Sequence, residues 1–263
     1  MTRPTVSSID LNSDVGESFG AYRIGADAEL MRNITSANVA CGFHAGDPGV
    51  MRATVRLAKD AGVAVGAHPG FPDLVGFGRR ELRASPREVE DFVVYQIGAL
   101  AAIAASEGVS LAHVKAHGAL YNMAARDRAL ADAIARAVAT VDRRLVLFGL
   151  PGSELLRAGE AAGLRVASEG FADRAYMPDG SLAPRTTQSS VIHEAEEVVG
   201  RALRMVTDGE VAAVDGSTLR FQVDTLCVHG DTPGAAELAR RLRTGLEQRG
   251  VSVRAELTRS NPS

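Results

Sequence analysis

LAHVKAHGALYN, residues 111–122, is the stretch whose reading decides the fold. It begins as an apolar–polar alternation and ends just past Gly118, so the pattern predicts a short strand over 111–117 running into a loop. Side chains alternate across a strand, which puts Val114 and Ala116 on one face and His113, Lys115 and His117 on the other. Packing a core does not call for two imidazoles and an ammonium on one face of one strand end.

Lys115 stands out by scarcity. Lys and Arg together number 29, yet Lys59 and Lys115 are the only lysines. A chain that uses Arg nearly everywhere keeps a lysine where a compact ammonium does what a forked guanidinium cannot: lose a proton, or donate to one developing oxyanion.

Outward from this stretch the chain repeats one unit. Strands are expected at 6–12, 34–40, 63–67, 145–148, 165–168 and 226–228, with a hairpin over 211–223 and a closing strand at 251–256. Helices are expected at 29–33, 48–61, 86–107, 126–140, 153–162, 188–208 and 233–248. Asp47-Pro48 and Ser85-Pro86 supply a cap followed by proline, and Gly62, Gly108, Gly163 and Gly250 stop helices. Alternation of this kind implies parallel strands joined by right-handed crossovers. The fold class expected is α/β, one β/α barrel domain over 1–263, with a doubly wound open sheet as the alternative.

The reactive residues fall in one class of position. His44, His68, His117 and His229 each lie at or just past the C-terminal end of an expected strand. Asp14, Glu17, Asp47, Asp73, Asp173, Arg174 and Asp231 lie in the same loops. In a parallel barrel these loops converge on one mouth, where such enzymes place their sites. Any one histidine reads equally well as a satisfied structural side chain; four at the same end of the strands do not. Glycines 42, 46, 70, 118 and 230 flank them and permit close backbone approach.

Other classes are excluded or disfavoured. Net charge is −3 and no basic stripe with interleaved aromatics occurs, so nucleic acid is not an expected partner. No apolar run of the length of a membrane span is read, and the first residues carry no secretory signal pattern. Cys41 and Cys227 are too few for a disulfide framework, which points to the cytoplasm, and both read as small buried residues. No Walker-type loop and no GxGxxG occurs, and HEAEE at His193 is not HExxH.

Six segments together, DLNSDVGE (10–17), SANVACGFHAGDP (36–48), GAHPGFPD (66–73), VKAHGALYN (114–122), FADRAYMPDGSL (171–182) and CVHGDTP (227–233), resemble the family of 5-oxoprolinase A subunits, also called LamB/YcsF. They span nearly the whole chain in one order. The chain departs from the family in having Ala116 for a usual Pro, and Ser189-Ser190 near a usual Gly-Ala pair. The resemblance implies an irregular seven-stranded β/α barrel related to glycoside hydrolases and polysaccharide deacetylases. It also implies ATP-dependent opening of 5-oxo-L-proline to L-glutamate, in a complex with subunits B and C.

The site residues expected on this reading are Asp14, His44, His68, Lys115, His117, Asp173, Arg174 and His229. Asp14, or a histidine paired with it, is the expected general base on water. Lys115 and Arg174 would stabilise oxyanion or phosphoryl charge, and His117 and His229 would carry protons. His44 and His68 would orient the substrate or, with Asp14, hold a divalent metal. A metal-dependent amide or carbohydrate deacetylase on the same barrel is the alternative activity, and a non-catalytic carrier of 5-oxoproline is a third reading.

Overall fold

The computed structural model describes residues 8–184, 187, 190–228, 230 and 234–255. Six strands come first: β1 (Ser8–Val15), β2 (Ser36–Ala40), β3 (Ala64–His68), β4 (Leu111–Val114), β5 (Val146–Gly149) and β6 (Arg165–Phe171). A hairpin of β7 (Glu210–Ala212) and β8 (Thr218–Arg220) precedes β9 (Thr225–Val228), and β10 (Ser252–Val253) flanks the lower end of β1. Strands β1 to β6 pair parallel in chain order. β9 pairs with both β6 and β1, which closes a seven-stranded barrel and rules out the open sheet. The ring is irregular, because β3 and β4 slip register between Val65 and Gly66.

Eight helices accompany the strands among the described residues: α1 (Asp27–Leu30), α2 (Pro48–Ala61), α3 (Pro86–Ser106), α4 (Gly118–Ala124), α5 (Arg128–Val141), α6 (Glu154–Ala161), α7 (Ala195–Thr207) and α8 (Ala235–Gln248). Local chemistry sets their starts. Asp47 accepts from the N–H groups of Gly49 and Val50, and Ser85 with Glu88 forms a reciprocal capping box. α3 corrects one expectation: by length and composition it is long and apolar enough to cross a membrane. Its Val89, Val93, Ile97 and Leu100 are fully buried in the core.

Two more boundaries differ from expectation. The helix expected from 188 begins only at Ala195. Residues 190–192 pair instead with 173–175, the Ala175 N–H donating to the Ser190 carbonyl and the Ile192 N–H to the Asp173 carbonyl. β1 runs on to Val15, paired with Val39 of β2; its inward side chains are polar, so a hydrophobic alternation does not show the extension.

The strand period divides β1 cleanly. Ile9 and Leu11 join Ala37, Val39, Val65 and Val114 in the apolar layer between barrel and helices. Asp10, Asn12 and Asp14 alternate with them and carry the polar contacts of the interior. There Thr35, Ser36 and Thr225 hydroxyls donate to Asp10 at 2.6–2.7 Å. Asn12 Nδ2 donates to Thr225 Oγ1 at 2.7 Å, and Asn38 Nδ2 to Asn12 Oδ1 at 2.8 Å. Buried polar groups are tolerable only when bonded in this way; burial still pushes the Asp10 carboxyl up.

His113 completes this layer. Its Nε2 sits 2.7 Å from Asn38 Oδ1 and its ring stacks on Phe148 with centroids 4.4 Å apart. Burial, then the neighbouring Lys115, pushes its pKa down to about 3, so it is a neutral structural imidazole. Glycine at position 66 makes room for it: a Cβ there would lie 2.1 Å from His113 Nε2.

Candidate active site

The top of the polar interior is a charged hub at Lys115. Its Nζ lies 2.8 Å from Asp14 Oδ1, 2.9 Å from Glu169 Oε1 and 3.0 Å from Cys227 Sγ, over the face of Phe171. The side chain is 3% exposed. Burial alone would depress such an ammonium; Asp14 and Glu169 beside it outweigh that and hold it well above the ordinary lysine range. Lys115 is therefore a permanent cation and donor here. Cys227, pushed up by burial, stays a thiol, and Cys41 is buried with a pKa of about 12.

Asp14 links this hub to the histidines. Oδ1 accepts from Lys115 and from Asn38 Nδ2 (2.9 Å), while Oδ2 lies 3.3 Å from His68 Nε2. His68 Nδ1 faces the Lys115 carbonyl at 2.7 Å, and His117 Nε2 faces the Phe77 carbonyl at 2.8 Å. Both outer nitrogens meet acceptors, so both carry hydrogen. The inner pair, His68 Nε2 and His117 Nδ1, are 3.0 Å apart.

The loop after β3 supports this arrangement. Phe77 adopts φ 55°, a left-handed conformation that costs a residue with a Cβ about 1–2 kcal/mol and aims its carbonyl at His117. Gly78 lies against the ring: a Cβ there would lie 2.8 Å from His117 Cδ2 and from His44 Cβ. Gln96 of α3 anchors the loop from behind. Its amide accepts from the Gly70 N–H and donates to the Gly70 carbonyl, each at 2.9 Å.

Behind His117, the His44 ring stacks face to face on it at 3.7 Å. Glu17 Oε1 is 3.6 Å from His44 Nε2 and 3.7 Å from His117 Nδ1. Burial, then the neighbouring imidazoles, pushes both rings well below the usual histidine range, so both are neutral. Glu17, His44, His68 and His117 each bring a ligand atom within 4.8 Å of the others, a set able to hold a metal ion.

A cavity of about 730 Å³ opens onto this centre. Of the residues expected from sequence, Asp14, His68, Lys115, His117 and Arg174 line it. His44 lies behind His117, and Asp173 is buried off the lining. His229 and Asp231 fall outside the described residues. Arg174 gives Nε to the Ser190 carbonyl and Nη2 to the Ala183 carbonyl, so it ties down the wall of the cavity.

Glu169 is a member of the site that the sequence reading misses. It is a fully buried carboxylate on β6, beside Lys115 and the Tyr121 hydroxyl, which burial and then Glu169 push well up. A signal for it exists: a carboxylate two residues before the end of a strand, in phase with Phe171. Glu17 is expected in the right loop but not in the site.

The LamB/YcsF family model matches residues 9–261. A protein of Symbiobacterium thermophilum, named as the A subunit of 5-oxoprolinase, is 60% identical over 253 residues, 96% of this chain and 97% of that one. Its namesake in Tolumonas auensis is 56% identical over 250 residues, covering 95% and 100%. The crystal structure of a lactam utilization protein from Thermus thermophilus superposes with a TM-score of 0.89 at 55% identity, covering 94% of this chain and 99% of that one.

Proposed function

Because the chain belongs to the LamB/YcsF family, we propose that it is the A component of a 5-oxoprolinase, opening 5-oxo-L-proline to L-glutamate at the expense of ATP together with components B and C in the cytoplasm. The names carried by its relatives support this reading. The observation that carries it is Asp14, a carboxylate on the cavity lining held between the Lys115 ammonium and the His68–His117 pair. A base and an oxyanion donor thus meet at one point, beside two imidazoles.

A five-membered lactam is unstrained and its carbonyl carbon is a poor electrophile. Transfer of the γ-phosphoryl group of ATP to the amide oxygen releases ADP and leaves a phosphorylated imidate. One water adds to that carbon and the C–N bond breaks, the ring nitrogen leaving as an amine and the carbon as an acyl phosphate. A second water releases phosphate and the γ-carboxylate. In this scheme Asp14 takes the proton of the attacking water, and Lys115 faces the oxygen that gains charge. The proton taken up by Asp14 is the one that passes to the departing nitrogen. ATP is supplied by the complex, and this chain need not bind it alone.

The test is glutamate release from 5-oxoproline by the chain with components B and C, with and without ATP. Activity requiring both is expected. Lys115→Arg and Asp14→Asn should each lower it by roughly a hundredfold or more, as loss of a transition-state donor or base does. ATP-independent acetate release from an N-acetylated sugar by the chain alone would establish the deacetylase reading instead.

A further inference from the structure

We propose that Glu17, His44, His68 and His117 form a binding site for one divalent transition-metal ion of the zinc class. The inference stands on these four side chains and not on the lactam reading.

The argument begins with lone pairs. The His68 Nδ1–H and the His117 Nε2–H are both committed to backbone carbonyls. The inner nitrogens therefore point lone pairs at each other across 3.0 Å, with Asp14 Oδ2 at 3.3 Å from one and Glu17 Oε1 at 3.7 Å from the other. Lys115 already offsets Asp14, but two lone pairs facing each other across 3.0 Å repel unless a cation lies between them. It is either a proton shared by the rings or a metal ion.

His44 decides between them. It is 1% exposed, and neither ring nitrogen has a hydrogen-bond partner among the described residues. A shared proton between His68 and His117 does nothing for it, and an orphaned buried nitrogen is a costly feature to keep. Its Nε2 faces Glu17 Oε1, as His117 Nδ1 does, at 3.6 and 3.7 Å. Ligand atoms around a tetrahedral zinc with ~2.1 Å bonds are separated by ~3.4 Å. The face-to-face stack aims the two rings past a common centre, so it must splay for both to bind, and His44 is the ring with no hydrogen bond to hold it.

The outer contacts match a ligand set. Metal-bound histidines donate their second N–H to a backbone carbonyl or carboxylate, which fixes the tautomer, as the Lys115 and Phe77 carbonyls do here. Three imidazoles and one carboxylate favour zinc, cobalt and their neighbours over magnesium or calcium. When bound, such an ion supplies Lewis-acid polarisation and lowers the pKa of a coordinated water. Asp14 is not in the set of four: its Oδ1 accepts from Lys115 and Asn38, and its Oδ2 approaches the His68 ring at 3.3 Å.

The test is a titration of chelator-stripped full-length protein with Zn²⁺, read by competition with a chromophoric chelator, and with Co²⁺, read by its visible absorption. One equivalent is expected, unmoved by excess Mg²⁺. Glu17→Gln, His44→Ala and His117→Asn should weaken binding roughly tenfold or more, while Asp14→Asn stays near wild type. Circular dichroism melts establish which variants are folded, and Glu17→Gln and His44→Ala suffice if His117→Asn is not. No stoichiometric binding of either ion would overturn the proposal and assign the gap to a shared proton. Loss of binding in Asp14→Asn with retention in Glu17→Gln would overturn the ligand set.

Discussion

Replacing Lys115 with Met keeps the length of the stem and removes one charge. In the native protein that charge sits 2.8 Å from Asp14 and 2.9 Å from Glu169, with all three groups nearly or fully buried. Without it two carboxylates face each other across the thiol of Cys227. Removing one partner of a buried pair costs about 3–5 kcal/mol, because the other charge is left uncompensated. For a domain of this size that corresponds to a fall in Tm of roughly 6–20 °C.

The cost has a pH signature. The abandoned carboxylates regain neutrality by binding a proton, so their folded-state pKa values rise above those of the unfolded chain. A group raised on folding contributes stability below its unfolded pKa and loses it as pH rises through the folded one. The variant should therefore recover as pH falls from 8 towards 5, by up to about 1.4 kcal/mol per pH unit for each carboxylate. Adding Glu169→Gln should restore part of the loss at pH 8. The assay is thermal unfolding followed by circular dichroism at pH 5, 6, 7 and 8 for wild type, single and double variants. A Lys115→Met protein melting within about 2 °C of wild type at pH 8, with no recovery on acidification, would show that Lys115 does not hold this cluster together.

Three further outcomes are expected. Gly66→Ala places a methyl 2.1 Å from His113 Nε2 and should cost about 2–4 kcal/mol, relieved in a Gly66→Ala/His113→Ala double variant, as a urea-melt cycle would show. His113 has its folded pKa lowered to about 3, so its neutral burial contributes stability above pH 6.5 that is lost as pH falls towards 3. Stability should drop by about 1.4 kcal/mol per unit from this residue between pH 6.5 and 5, and His113→Gln should flatten that slope in urea melts. Gln96→Leu leaves the Gly70 N–H and carbonyl unpaired, at about 1–3 kcal/mol each; amide exchange across residues 69–79 should accelerate while α5 keeps its protection.

Much of the fold is open to reading along the chain. Caps, glycine stops and alternation locate the helices near α2, α3, α5, α6 and α8, because these are local devices acting over three or four residues. The C-terminal ends of the strands identify the mouth, and Asp14, His68, Lys115 and His117 do meet there. The interior is harder. Asp14 reads as loop polarity, yet it lies in β1, and the partners of Asp10, Asn12 and Asp14, which are Thr225, Asn38 and Lys115, lie far away in sequence.

Residue type and spacing determined which groups are available and which side of their own strand they occupy. Barrel closure alone decided which of them touch. Only the pairing of β1 with β9 brings Cys227 to Lys115, and only the register of β6 brings Glu169 there. Tertiary structure likewise turned His113 into a packing group, Arg174 into a tie for the cavity wall, and Glu17 into the fourth member of the histidine cluster. The reason is range. Backbone periodicity fixes directions within one element, whereas distances between elements are set by how all of them pack at once.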